Sequence, residues 1–226
     1  MARVQDAPVS SDYADGNPDL RDWLRILESA GQLRIVEGAD WNVEVGALVE
    51  MVLQQSANPP ALLFDKINGY PEGWRIFNNH VPTLELAARI LNLPPSDKHI
   101  GLVKSWRERM RTLKLMPTET VARGPVLENV QRGGDVDLSV FPTPLWHEDD
   151  GGRFLGTADI VITRDPDDGK INCGTYRMQV MDRDKLGLYI APGQHGRIHR
   201  DKYFERGERM PVVAVLGMHP LFFVSG

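Results

Sequence analysis

The spacing of apolar residues changes at Pro117, and that change points to an α+β chain built in two unlike parts. Before it, Leu20, Trp23, Leu24 and Leu27 fall at i, i+3, i+4 and i+7, so they share one helical face. Asp19 is placed to cap that helix, and Gly31 to supply the left-handed residue at its end. QLRIVE then alternates as a strand. Asn42 is expected to cap a second helix with Val45, Leu48, Val49, Val52 and Leu53 as its stripe. ALLFDKI reads as a buried strand and RIFNN as a shorter one. Thr83 opens a third helix, stopped by Pro94 and Pro95. Lys98 to Leu115 reads as a longer helix with Trp106, Met110 and Leu113 on one face. Helices interleaved with short strands predict a small α/β module over residues 19–116, after a disordered lead-in over 1–18.

Beyond Pro117, short strand runs take over: PVLENV, GTADIVIT, KINCGTYRMQV and PVVAVLG, separated by turn clusters such as RGGD, DPDDGK and GERMP. DPDDGK is read as a hairpin connection. HGRIHRDKYFERG (His195 to Gly207) interrupts the strands as a short amphipathic helix. A mainly β second half with one embedded helix predicts a barrel or curled sheet over 117–226.

A net charge of −5 gives no basic surface to attract nucleic acid. No apolar run approaches the ~20 residues that span a bilayer. The polar, acidic N-terminus lacks the apolar core of a secretory signal. The single cysteine, Cys173, excludes an internal disulfide and fits a reducing cytoplasm. It reads as a small buried apolar residue rather than a nucleophile.

Several polar residues stand out, each with an ordinary explanation beside it. If KINCGTYRMQV is one strand, Asn172, Gly174, Tyr176 and Met178 share a face, and Cys173, Thr175, Arg177 and Gln179 share the other. Arg177 must then pair with an anion or lie at the sheet surface. An Asn oxygen can bind a hard cation, although a lone Asn is usually only hydrogen-bonded. PGQHGRIH puts Gln194 and His195 at a turn into a helix, where free N–H groups and the helix dipole favour phosphate. His195 and His199 are spaced like a zinc pair, but the HExxH glutamate is absent. His147, Glu148, Asp149 and Asp150 form an acidic turn that reads as a solvated loop, and Asp40 as part of a helix cap.

Taken together, five segments in order resemble the UbiD family of prenylated-flavin-dependent decarboxylases: DLRDWLRILESAGQLRIVE, PTPLWHEDDGGRFLGTADIVIT, INCGTYRMQV, the PGQH turn and LGMHPLFFVSG. The resemblance implies a split β-barrel of the flavin-reductase type after the N-terminal α/β module, truncated in this chain, with Val212 to Ser225 as central barrel strands. It implies prenylated FMN, Mn2+ and K+ as cofactors. Asn172 and His195 match two metal ligands, whose oxygen and imidazole donors suit manganese. Gln194 matches a neighbouring cofactor contact, Thr157 and Gly174 positions lining the flavin, and Ser225 a backbone contact to potassium. Arg177 matches the arginine between flavin and substrate carboxylate, the catalytic position, and Thr175 lies on the cofactor and substrate side.

The activity implied is non-oxidative loss of CO₂ from an aromatic, heteroaromatic or α,β-unsaturated carboxylic acid. A flavin prenyltransferase would supply the cofactor, and the full-length form would be a homo-oligomer. Family members are longer: their third metal ligand, a glutamate, their proton-relaying glutamate and their dimerisation domain match positions beyond Gly226. The resemblance therefore implies an N-terminal, cofactor-binding portion that is inactive alone. The residues also admit a non-catalytic flavin-binding or assembly module that works with a partner chain, or a plain FMN oxidoreductase.

Overall fold

A computed structural model describes residues 19–114 and 116–226. The lead-in expected over 1–18, and Leu115 at the end of the fourth predicted helix, lie outside the described residues.

The first helix, α1 (Leu20–Ser29), starts where the sequence places it. Asp19 accepts from the Arg21 and Asp22 amides, and Asp22 returns a bond to the Asp19 amide. Gly31 follows with φ +65°, the left-handed conformation that glycine adopts without strain. Strands β1 (Leu33–Glu37), β2 (Ala61–Asp65) and β3 (Ile76–Asn78) form one sheet in that order, β1 parallel and β3 antiparallel to β2. The central strand is buried on both faces, as its unbroken apolar run requires. Ala61 packs with Trp23, Ile26 and Leu27 of α1 and with Leu86 and Ile90 of α3 (Leu84–Ile90). Leu62 and Phe64 pack on the other side with Val45 and Val49 of α2 (Glu44–Gln55).

Two expectations for this half need correction. Asn42 does not cap α2: Val43 occupies the cap at φ +70°, without a side-chain bond. Asp40 instead accepts from the Asn42 amide at 2.7 Å, and Glu44 accepts from the Asp40 amide. Asn42 is drawn away to form a parallel bridge with Leu145 of the second half. Lastly, α4 (His99–Thr112) buries only Leu102 among its described residues, while Met110 and Leu113 of the predicted apolar face stay exposed.

Among the described residues the second half holds two three-stranded antiparallel sheets. One is ordered β4 (Phe154–Leu155), β7 (Met178–Asp182), β8 (Lys185–Leu188); the other β6 (Ile171–Gly174), β5 (Ile160–Arg164), β9 (Val212–Val215). DPDDGK makes the β5–β6 hairpin, closed by Asp165 N–H to Lys170 O at 2.8 Å. PVLENV is not a strand: Pro125–Leu127 is a single 3-10 turn, proline having no N–H for a ladder. Nor is KINCGTYRMQV one strand, since β6 and β7 belong to different sheets. After β9 the chain coils into α6 (Pro220–Val224) rather than continuing as strand, with Pro220 in its first turn. Helix α5 (His195–Glu205) packs on β5 through a buried bond of 2.9 Å between Thr163 Oγ1 and His199 Nδ1. Cys173 is half-buried rather than a full member of the core.

Candidate cofactor and metal site

The break between β6 and β7 organises the site. Thr175, Tyr176 and Arg177 cross from one sheet to the other, and Tyr176 turns inward, 7% exposed, against Met178, Ile190 and Val161. Glycine on both sides makes room for its ring. A Cβ on Gly174 would lie 2.6 Å from the phenol, and one on Gly196 would lie 3.1 Å from the ring. Asn172 Nδ2 donates to the phenol oxygen at 3.4 Å. A single aromatic ring thus joins Asn172 on β6 to Gly196, the residue after His195, at the start of α5.

His195 is exposed, and among the described residues its imidazole has no hydrogen-bond, ion-pair or ring partner. Gln194 holds the N-cap of α5 with no side-chain cap bond. The first amides of that helix are therefore not satisfied by a capping side chain, an arrangement that favours an anion. His199 faces the other way. It is buried, bonded to Thr163, with Nε2 3.6 Å from an Asp165 carboxylate that Lys202 holds at 2.6 Å. His199 is thus engaged inside the fold, while His195 stays exposed.

Ser225 and Gly226 come back beside the crossover. A Cβ on Gly226 would meet Ile160 Cδ1 at 2.5 Å and Thr175 Cγ2 at 3.3 Å. Ser225 itself is exposed and donates through Oγ to Phe222 O at 2.7 Å.

Arg177 and Thr157 lie together on a second feature, a cavity of about 320 Å³ walled by Trp146, Phe154, Glu50 and His147. The Arg177 guanidinium stacks over the Phe154 ring at 4.9 Å and has no carboxylate partner among the described residues. The shared strand face expected for Arg177 and Gln179 is not formed. Gln179 Nε2 instead donates to Gly151 O at 2.7 Å and holds the acidic loop. That loop is largely exposed, as read from sequence, with His147 3.2 Å from Glu50. A larger cavity of about 890 Å³ beside α3 and α4 holds none of the predicted site residues.

Tyr176 and Phe154 carry more of this geometry than their sequence context announces. An aromatic residue next to a glycine reads as core, and only the sheet crossover shows what it touches. Asp159 was also missed. It is fully buried, neither carboxyl oxygen has a hydrogen-bond partner among the described residues, and burial pushes its pKa up to about 7.

An α/β module joined to small antiparallel sheets is similar to the fold of UbiD-class enzymes. Residues 24–106 match the N-terminal domain of 3-octaprenyl-4-hydroxybenzoate carboxy-lyase, and residues 119–226 match its Rift-related domain; the chain belongs to the UbiD family. It is 34% identical over 212 residues to a phenolic acid decarboxylase of Streptomyces sp. (strain D7), covering 91% of this chain and 44% of that protein. It superposes with TM-score 0.82 and 27% identity on the vanillic acid decarboxylase of Sedimentibacter hydroxybenzoicus in closed form, covering 92% of this chain and 44% of the other. An evolved dimeric form of the UbiD-class enzyme HmfF from Pelotomaculum thermopropionicum, in complex with prFMN, superposes with TM-score 0.77 and 28% identity over 89% of this chain and 45% of that one. The chain spans under half the length of these relatives.

Proposed function

We propose that residues 19–116 and 117–226 form the α/β module and the cofactor-binding split β-barrel of a non-oxidative decarboxylase. Its substrate is an aromatic, heteroaromatic or α,β-unsaturated carboxylic acid, and its cofactors are prenylated FMN, Mn2+ and K+. The observation that carries this reading is the convergence of Asn172 and the start of α5 on Tyr176, next in sequence to an Arg177 whose guanidinium has no anionic partner among the described residues.

The donors present suit such a group. A half-buried amide and an exposed imidazole offer a hard oxygen and a borderline nitrogen, a pair that suits manganese. The open N-terminus of α5 suits the flavin phosphate. Asn172 and His195 would hold the metal, Gln194 the phosphate side, Thr157, Gly174 and Thr175 the flavin, and the backbone at Ser225 the potassium ion. When bound, prenylated FMN supplies a carbon centre that bonds to the substrate and takes up electron density as CO₂ leaves. The protein's part is positioning. Arg177 offers a planar fork to the carboxylate, and its stacking on Phe154 limits the poses the fork can take. Trp146 and Phe154 give the cavity beside that fork an apolar wall.

Arg177→Ala in the full-length protein tests this reading. Flavin retention with loss of CO₂ release supports a catalytic arginine; unchanged turnover defeats it. A flavin prenyltransferase as cofactor supplier, a homo-oligomeric full-length form and a cytoplasmic setting belong to the same proposal. No helix among the described residues is long and apolar enough to cross a membrane.

A second reading, an assembly module working with a partner chain, draws on β9. That strand pairs only with β5 among the described residues, and Val212 and Val213 are 41% and 57% exposed. A complex with a partner that binds flavin but releases no CO₂ would favour it.

A further inference from the structure

We infer that Tyr176 is a positioning residue, whose hydroxyl turns the Asn172 amide for a hard cation and whose ring ties Asn172 to the turn carrying His195. The inference rests on the reading of Asn172 and His195 as metal ligands.

An asparagine amide has two unlike ends, and only the oxygen end binds a hard cation. In this structure the nitrogen end faces the Tyr176 hydroxyl at 3.4 Å, which leaves Oδ1 as the free end. The contact is long for a hydrogen bond, so it biases the amide rather than locking it. The phenol is itself held in place. It is 7% exposed and packed with Val161, Met178 and Ile190, and it is flanked by two glycines where a methyl group would intrude. One of these, Gly196, follows His195, so a shift of the ring moves both proposed ligands. Outer partners of this kind commonly change metal affinity 10–100-fold. A bond that only biases its amide belongs at the lower end of that range.

Packing alone would be served equally well by phenylalanine, so Tyr176→Phe isolates the hydroxyl. Two measurements on the full-length protein test it. In the metal-free protein, the Asn172 side-chain amide signals in a 15N NMR spectrum, assigned by their loss in Asn172→Asp, are expected to shift and to exchange faster in Tyr176→Phe, with the thermal midpoint unchanged. Mn2+ binding in the presence of FMN, followed by loss of the free-ion EPR signal, is expected to weaken about tenfold. Unmoved Asn172 signals, or equal Mn2+ affinity in a chain that does bind the ion, overturn the inference alone. No Mn2+ binding by the unsubstituted full-length protein overturns the ligand reading beneath it, and the inference with it. Tyr176→Leu separates the ring from the hydroxyl: it is expected to lower the thermal midpoint as well as the affinity.

Discussion

The imidazole of His80 lies nearly parallel to the ring of Phe223, with centroids 5.7 Å apart and planes inclined by 20°. His80 follows β3 in the first half of the chain and Phe223 belongs to α6 in the second. Beside them the Trp23 and His219 rings meet edge-on at 5.9 Å, and Trp23 Nε1 donates to His80 O at 2.7 Å. These aromatic contacts fix the helix that leads into Ser225 and Gly226, and hence the edge of the proposed site.

Burial pushes the His80 pKa down to about 4. A histidine held neutral by the fold contributes fully above its unfolded pKa near 6.5, and that contribution is lost as pH falls towards 4, because the unfolded chain takes up the proton first. The loss amounts to about 3 kcal/mol over that interval. His80→Phe keeps a ring against Phe223 and removes the titration. The variant's thermal midpoint is expected to fall less than the parent's between pH 6.5 and 4. Parallel pH profiles would show that His80 is already solvated.

Asp159 behaves in the opposite sense. Its folded pKa near 7 lies above the usual carboxylate value, since burial without a hydrogen-bond partner disfavours the charge. Stability from the neutral form is full below about pH 4 and lost as pH rises through 7, a change of about 4 kcal/mol. Asp159→Asn should therefore be more stable than the parent at pH 8.5 and no more stable at pH 4. Urea denaturation at the two pH values measures this. A constant difference between the proteins would rule out ionisation as the cause.

Gly46 lies inside α2, where alanine ordinarily gains about 1 kcal/mol. A Cβ there would sit 1.9 Å from the Trp146 carbonyl oxygen, so helix and loop backbones meet where only hydrogen fits. Gly46→Ala is expected to destabilise by about 1–3 kcal/mol despite its better propensity, as overpacking does. It should also displace Trp146 from the Arg177 cavity. Chemical denaturation and the variant's tryptophan fluorescence report the two effects, and a gain in stability would contradict the close approach.

Thr163→Val removes the buried bond to His199 Nδ1 and leaves the imidazole nitrogen without a partner, at a cost of about 1–3 kcal/mol. Because that bond pins α5 to β5, hydrogen exchange is expected to rise along α5 more than in α1. Uniform change across both helices would show a global effect instead.

Where the sequence could be read correctly, the cause of the structure was local. The Asp19 cap, the Gly31 turn, the unbroken apolar run of β2 and the Asp165–Lys170 hairpin each depend on neighbours a few residues away. Where it misled, distant backbone won. Asn42 gave up its expected cap to bridge Leu145, and KINCGTYRMQV broke because its two ends joined different partner strands. An alternation pattern shows that residues 171–180 are extended, but it carries no information on which strand pairs with which.

The same division holds for the site. Sequence alone was enough to mark Asn172, Arg177, Gln194 and His195 as polar residues in unusual company, because their types and order are written in the chain. The tertiary structure decided that Asn172 and the His195 turn share Tyr176 while Arg177 faces a separate cavity with Thr157. It also decided that Asp159 is buried, with no hydrogen-bond partner for its carboxyl oxygens among the described residues. Contact between residues far apart in the chain depends on strand pairing and side-chain volume, and both are settled only when the sheets and helices pack.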